Sequence, residues 1–137
     1  MKHTVQLTIT SLLSILLLTL HLVQDILYGM ASPRLSTLVA AVPVLVVWLY
    51  GTLVLAERRS ANIIILLGSL LAVGVAVIHF RGPSCVLNAE NLKSSGAFFF
   101  IWTLLALGVN ATYSAVLSVR ALIASARERR QLASKAP

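Results

Sequence analysis

Apolar residues fall along the chain in four long runs, Val5–Tyr28, Leu35–Ala56, Ile63–Phe80 and Ala97–Val119, separated by short polar connections. A span across a bilayer needs about 20 mainly apolar residues, so each run reads as one membrane helix. The polar residues of the first run are not scattered. At about 100° per residue, Gln6, Thr10, Ser14, His21, Gln24, Asp25 and Tyr28 share one arc of roughly 100°, and Leu, Ile and Val fill most of the remainder. Lipid offers no hydrogen-bond partners, so a stripe of this kind has to face protein or water. The pattern predicts an all-α membrane four-helix bundle, antiparallel and up-down-up-down because its connections are short.

The later runs carry patterns of their own. In the second, Pro43 removes a backbone hydrogen bond, and Trp48 and Tyr50 are placed to anchor the helix at headgroup level. The third has Gly68, Ala72 and Ala76 at four-residue spacing, a small-residue track that permits close approach of a neighbouring helix. His79 follows on the same face and is expected to point inward. The fourth opens with Phe98, Phe99, Phe100 and Trp102, suited to the outer interface, and continues with Thr103, Ala106, Asn110 and Ser114 along one face. Asn110 lies near mid-membrane, where its amide is expected to bond across to another helix. The helix is expected to continue past Arg120 out of the membrane, within a basic cytoplasmic tail over residues 120–137 whose stretch Arg127 to Lys135 is expected to fray. Asn110-Ala111-Thr112 fits a glycosylation pattern, but a site inside the membrane cannot be used.

Composition agrees with the pattern. The 137 residues are 58% hydrophobic and 11% charged, and mean hydropathy is +0.93, far from the roughly 25% charge of soluble domains. The four runs leave no room for a second domain, so residues 1–137 read as one integral membrane unit whose first partner is the lipid bilayer. The net charge of +7 does not point to nucleic acid, because the basic residues sit between and after the spans and not on a folded solvent face. Eight Lys and Arg residues lie on one side (Lys2, Arg58, Arg59, Arg120, Arg127, Arg129, Arg130, Lys135) and three on the other (Arg34, Arg81, Lys93). The positive-inside rule then places both termini in the cytoplasm.

A removable leader is the competing expectation for the first run, since Lys2 precedes it and Gly29-Met30-Ala31 resembles a small-residue cleavage site. The length of the apolar run and the single Lys before it favour a retained span. The lone Cys85 excludes an internal disulfide and any multi-cysteine metal cage, and is read as a free thiol. The outer loop, Arg81 to Gly96, has turn chemistry at Gly82-Pro83 and a short helical stretch near Ala89 to Lys93 as an expectation.

Two stretches, His21-Leu22-Val23-Gln24-Asp25-Ile26-Leu27-Tyr28-Gly29 and Gly96-Ala97-Phe98-Phe99-Phe100-Ile101-Trp102-Thr103-Leu104-Leu105-Ala106-Leu107-Gly108, resemble segments of small four-span bacterial membrane proteins. The resemblance implies an inner-membrane setting and supplies no activity, ligand or site residue.

One constellation can carry chemistry. His21 and Asp25 are i and i+4 on one face, and His79 approaches the same outer side from another helix. Two imidazoles and a carboxylate, with Tyr28, Glu90 and Cys85 in reach from the loops, suit a divalent metal at His21, Asp25 and His79, or proton passage, since His titrates near neutral pH. The structural alternative is a seam of satisfied polar groups, His21, Gln24, Asp25, Tyr28, His79 and Asn110, that only joins helices. No phosphate loop, nucleophile elbow or orienting base appears, and no cofactor is expected beyond that metal. Two function classes follow: an accessory or homo-oligomeric membrane subunit associating through Gly68, Ala72 and Ala76, possible partners being a second copy or another membrane protein, and an ion, proton or metal transport or binding protein acting through the outward-facing site.

Overall fold

The computed structural model describes residues 2–27, 35–81 and 95–134. Within them lie four α-helices and no strand: α1 (Lys2–Leu27), α2 (Leu35–Leu53), α3 (Arg59–Arg81) and α4 (Ser95–Ser134). Three stretches, Thr4–Leu27, Arg59–Arg81 and Gly96–Ser134, are long and apolar enough to cross a membrane, and Val39–Leu53 is a shorter apolar helix. The described residues are helical apart from the turn at 54–58, and the chain has the make-up of a membrane protein. Large side chains such as Ile9, Val46, Leu67, Ile78 and Val109 stand exposed on its outside, where lipid, unlike water, carries no penalty for them.

Each helix buries a narrow stripe of small or medium residues. On α1 the stripe is Leu7, Ser11, Ser14, Leu18, His21, Gln24 and Asp25, repeating at three and four residues. On α3 it is Ala61, Ile65, Gly68, Ser69, Ala72 and Ala76. On α4 Phe100, Leu104, Leu107, Ala111, Ser114 and Ser118 run along one face, whereas Ala106, expected on that face, is exposed. Helices that offer Ala, Gly and Ser to one another can bring their backbones close, so dispersion replaces the hydrophobic drive that lipid does not supply.

The small-residue track of α3 serves these internal contacts. A Cβ on Gly68 would run into the indole ring of Trp48, and one on Gly108 would stand 3.3 Å from the Ala76 Cβ. Gly68, Ala72 and Ala76 are therefore enclosed between α3 and its neighbours α2 and α4. An association surface cannot be made from residues already covered by the chain itself.

Several ends differ from the hydropathy pattern. α2 stops at Leu53 and not Ala56, and α3 starts at Arg59 and not Ile63. Between them the chain turns through residues 54–58, held by Arg58 N–H to Leu55 O at 2.7 Å and Ala61 N–H to Arg58 O at 3.0 Å. Apolar runs mark where a helix meets lipid; hydrogen bonding continues into polar turns beyond. The same reasoning corrects the tail. α4 continues past Arg120 as expected and does not fray from Arg127 but stays helical through Ser134, 40 residues in all. Residues 120–134 contain no Gly or Pro and are dominated by Ala and Arg, with Leu, Glu and Gln among the rest, all strong helix formers. At about 1.5 Å per residue the helix is roughly 60 Å long, twice a hydrocarbon core.

Candidate cation site at one end of α1 and α3

Polar contacts between helices occur at three levels along α1. At the first, Trp48 Nε1–H donates to Ser11 Oγ at 2.9 Å, and Ser11 and Thr52 hydroxyls meet at 2.7 Å. Thr52 Oγ1–H donates to the Trp48 carbonyl at 2.9 Å. Because the Thr52 proton is committed there, Ser11 is the donor to Thr52. The three residues thus close a ring in which every donor has an acceptor. Trp48 is only 1% exposed, a buried pin between α1, α2 and α3 and not the headgroup anchor its position suggests. Tyr50 is exposed, as that position predicts.

At the second level, Asn110 Nδ2 donates to the Thr10 carbonyl and to Ser14 Oγ, both at 2.8 Å. This is the cross-helix bond expected of a mid-span amide, and it ties α4 to α1. Gln6, placed on the stripe by its angle, is exposed instead.

The third level is different. His21 Nε2 lies 3.5 Å from Asp25 Oδ2, and His79 Nε2 of α3 lies 3.5 Å from Asp25 Oδ1. The two imidazole rings stand edge to face, 4.7 Å between centroids at 87°. Phe100 of α4 packs on both, 5.0 Å from His21 and 5.9 Å from His79. Three helices therefore converge here, with one carboxylate between two imidazoles under an aromatic wall. His21 is fully buried, while the side chains of His79 and Asp25 keep 19% and 12% exposure, so access to the group runs past those two.

No known protein family, characterised protein or solved structure compared with this chain matches it. The chemistry has to be argued from the side chains.

His79 Nδ1 sits 2.9 Å from the carbonyl of Val75, one turn back on α3. A carbonyl accepts only, so Nδ1 carries a proton and donates it, and Nε2 is the ring nitrogen that faces Asp25. Neither ring nitrogen of His21 has a hydrogen-bond partner within the protein, and the same holds for Asp25 Oδ1 and both amide atoms of Gln24. Ser11, Thr52, Trp48 and Asn110 of the lower two levels leave no such orphans; elsewhere Ser69 Oγ and Ser114 Oγ are buried without a partner, single hydroxyls on separate helices. Each buried, unpartnered polar group costs about 1–3 kcal/mol, so a cluster of them on one helical turn is unlike a seam that merely joins helices.

The structure brings together His21, Asp25 and His79, with Gln24 buried on the same turn of α1. Asn110 belongs to the separate level described above. Tyr28, Cys85, Glu90 and the stretch from Ala89 to Lys93 lie outside the described residues. Phe100 and the Val75 carbonyl were not legible as site groups. Phe100 stands in a run of three Phe that reads as an interfacial cluster; Phe98, Phe99 and Trp102 are indeed exposed. The one signal separating Phe100 is its spacing to Leu104, Leu107 and Ala111, which assigns it to the buried stripe.

Proposed function

We propose that this is a small integral membrane protein that binds a cation at the centre formed by His21, Asp25 and His79. In this reading the chain crosses a cell membrane four times, up-down-up-down, with both termini on the cytoplasmic side, and the centre lies near the outer ends of α1 and α3. The helix pairing supports the alternating directions: Ser11 near the start of α1 meets Trp48 and Thr52 near the end of α2, and Asp25 near the end of α1 meets His79 near the end of α3.

The observation that carries the reading is the contrast between levels. Two cross-helix networks are hydrogen-bonded within the protein and hold the helices together, whereas the third sets two imidazoles about one carboxylate with both His21 ring nitrogens and Asp25 Oδ1 left without a hydrogen bond. A cation, which accepts lone pairs from all three, supplies what the protein does not. His79 and Asp25 give it a way in.

The test is a panel of cations, Na⁺, K⁺, Mg²⁺, Ca²⁺, Mn²⁺ and Zn²⁺, titrated into the full chain in lipid while thermal unfolding is followed. A ligand held only by the folded state raises stability by about 2.7 kcal/mol at 100 times its Kd. At least one cation should raise the melting temperature of the wild type and leave Asp25→Asn unmoved. If none shifts the wild type, the centre is not a cation site.

A further inference from the structure

Resting on that reading, we infer which cation the centre takes: a divalent transition metal of the zinc, cobalt and iron(II) type, held by His21 Nε2, His79 Nε2 and an Asp25 oxygen. Donor chemistry decides the class. Mg²⁺ and Ca²⁺ require six or more oxygen ligands, and this centre offers one carboxylate and two imidazoles. Imidazole nitrogen suits the later first-row metals.

Distance agrees with donor type. Ligands bonded at about 2.0–2.2 Å around a tetrahedral ion stand roughly 3.3–3.6 Å from one another. His21 Nε2 stands 3.5 Å from Asp25 Oδ2 and His79 Nε2 stands 3.5 Å from Asp25 Oδ1, and with one ligand atom from each residue the three lie within 4.8 Å of one another. Closing the set around an ion asks for a shift of about 1 Å in the histidines, within reach of a side-chain rotation.

The supporting contact is equally specific. Metal-bound histidines donate their other ring N–H to a carboxylate or backbone carbonyl, which fixes the tautomer and aims the free nitrogen. His79 does this through Val75 O. Three protein ligands leave a fourth position for water, substrate or the amide oxygen of Gln24, which is buried and unpartnered on the same turn.

Cobalt(II) reports ligand geometry through its visible absorption and serves as the probe, with the full chain in lipid nanodiscs. The wild type should bind one Co²⁺ with the strong d–d bands of a four-coordinate site, and Zn²⁺ should abolish them, while a large excess of Mg²⁺ or Ca²⁺ should not. Loss of a supporting partner typically weakens a metal about 10- to 100-fold, so His21→Ala and His79→Ala, each removing a ligand, should weaken Co²⁺ at least about 100-fold. His79→Cys guards against a variant that merely misfolds: a thiolate in that position should add a sulfur-to-cobalt charge-transfer band. Co²⁺ bands that are weak and six-coordinate, displaced by Ca²⁺, or unchanged in both alanine variants would overturn the metal assignment. Stabilisation by Na⁺, K⁺, Mg²⁺ or Ca²⁺ through Asp25, without Co²⁺ or Zn²⁺ binding, overturns the metal class and leaves the cation site standing. Absence of every cation effect removes both.

Discussion

Replacing Ser11 by Ala removes one oxygen and opens the ring that pins α1 to α2. Two hydrogen bonds vanish, Trp48 Nε1–H to Ser11 at 2.9 Å and Ser11 to Thr52 at 2.7 Å, and the buried indole N–H is left without an acceptor. Thr52 keeps its own bond to the Trp48 carbonyl, so the damage is confined to Ser11 and the indole. Cross-helix bonds in membranes average about 0.6 kcal/mol and reach about 1.7. Two of them plus an orphaned donor sum to about 1–3 kcal/mol. Ser to Ala leaves volume nearly unchanged, so packing contributes little. Unfolding in bicelles, followed by steric trapping or denaturing detergent, reads the difference. Thr112→Val is the control, since its hydroxyl bonds only to Gly108 O of its own helix on an exposed face; it should fall within about 0.5 kcal/mol of wild type. Coupling Ser11→Ala to Thr52→Val should give less than the sum of the two single effects, because both cut the same bond. If Ser11→Ala costs no more than Thr112→Val, the ring does not hold these helices.

Other outcomes follow from the same contacts. Gly68→Ala drives a methyl into the Trp48 ring and should destabilise by about 1–3 kcal/mol through overpacking, visible in the same unfolding assay with no change in the mass of the assembly. Asn110→Leu loses the two bonds to Thr10 O and Ser14 Oγ and should cost about 1–2 kcal/mol while leaving Co²⁺ binding intact, because Asn110 lies on a separate level. Ala124→Gly, in the exposed extension of α4, should lower helix content past Arg120 in hydrogen exchange by a local penalty of about 1 kcal/mol and leave global stability unchanged.

Much of this arrangement is legible in the sequence because membrane helices obey few constraints. Length and hydropathy mark the helices, and the angular stripe on α1 finds His21, Gln24 and Asp25 without any structure. Asn110 is legible for a related reason, since an amide at mid-span has to bond across. The rest depends on how the helices are arranged around one another. Ser11 comes from one run and Trp48 and Thr52 from another, and they form a ring only once α1 lies on α2; nothing in the local pattern of Trp48 separates a buried pin from a headgroup anchor. Phe100 likewise reads as an interfacial residue until α4 turns it onto two histidines. Helix ends fail for a different reason: hydropathy reports contact with lipid, and Arg59, Ser60 and residues 127–134 are helical in polar surroundings. The track at Gly68, Ala72 and Ala76 predicts close packing but cannot say whether the partner belongs to the same chain. Here Trp48 and α4 cover it.

The most direct measurement on the cation centre is nitrogen NMR of the histidine side chains, with and without Zn²⁺, in the full chain in lipid. The sequence has three histidines, so each can be assigned by single replacement. His79 should show a protonated Nδ1 in both conditions, held by the Val75 carbonyl, while the Nε2 resonances of His21 and His79 move together on a single Zn²⁺ equivalent and His3 stays put. Movement of His3 alone, or a His79 ring protonated on Nε2 and indifferent to Zn²⁺, would contradict it.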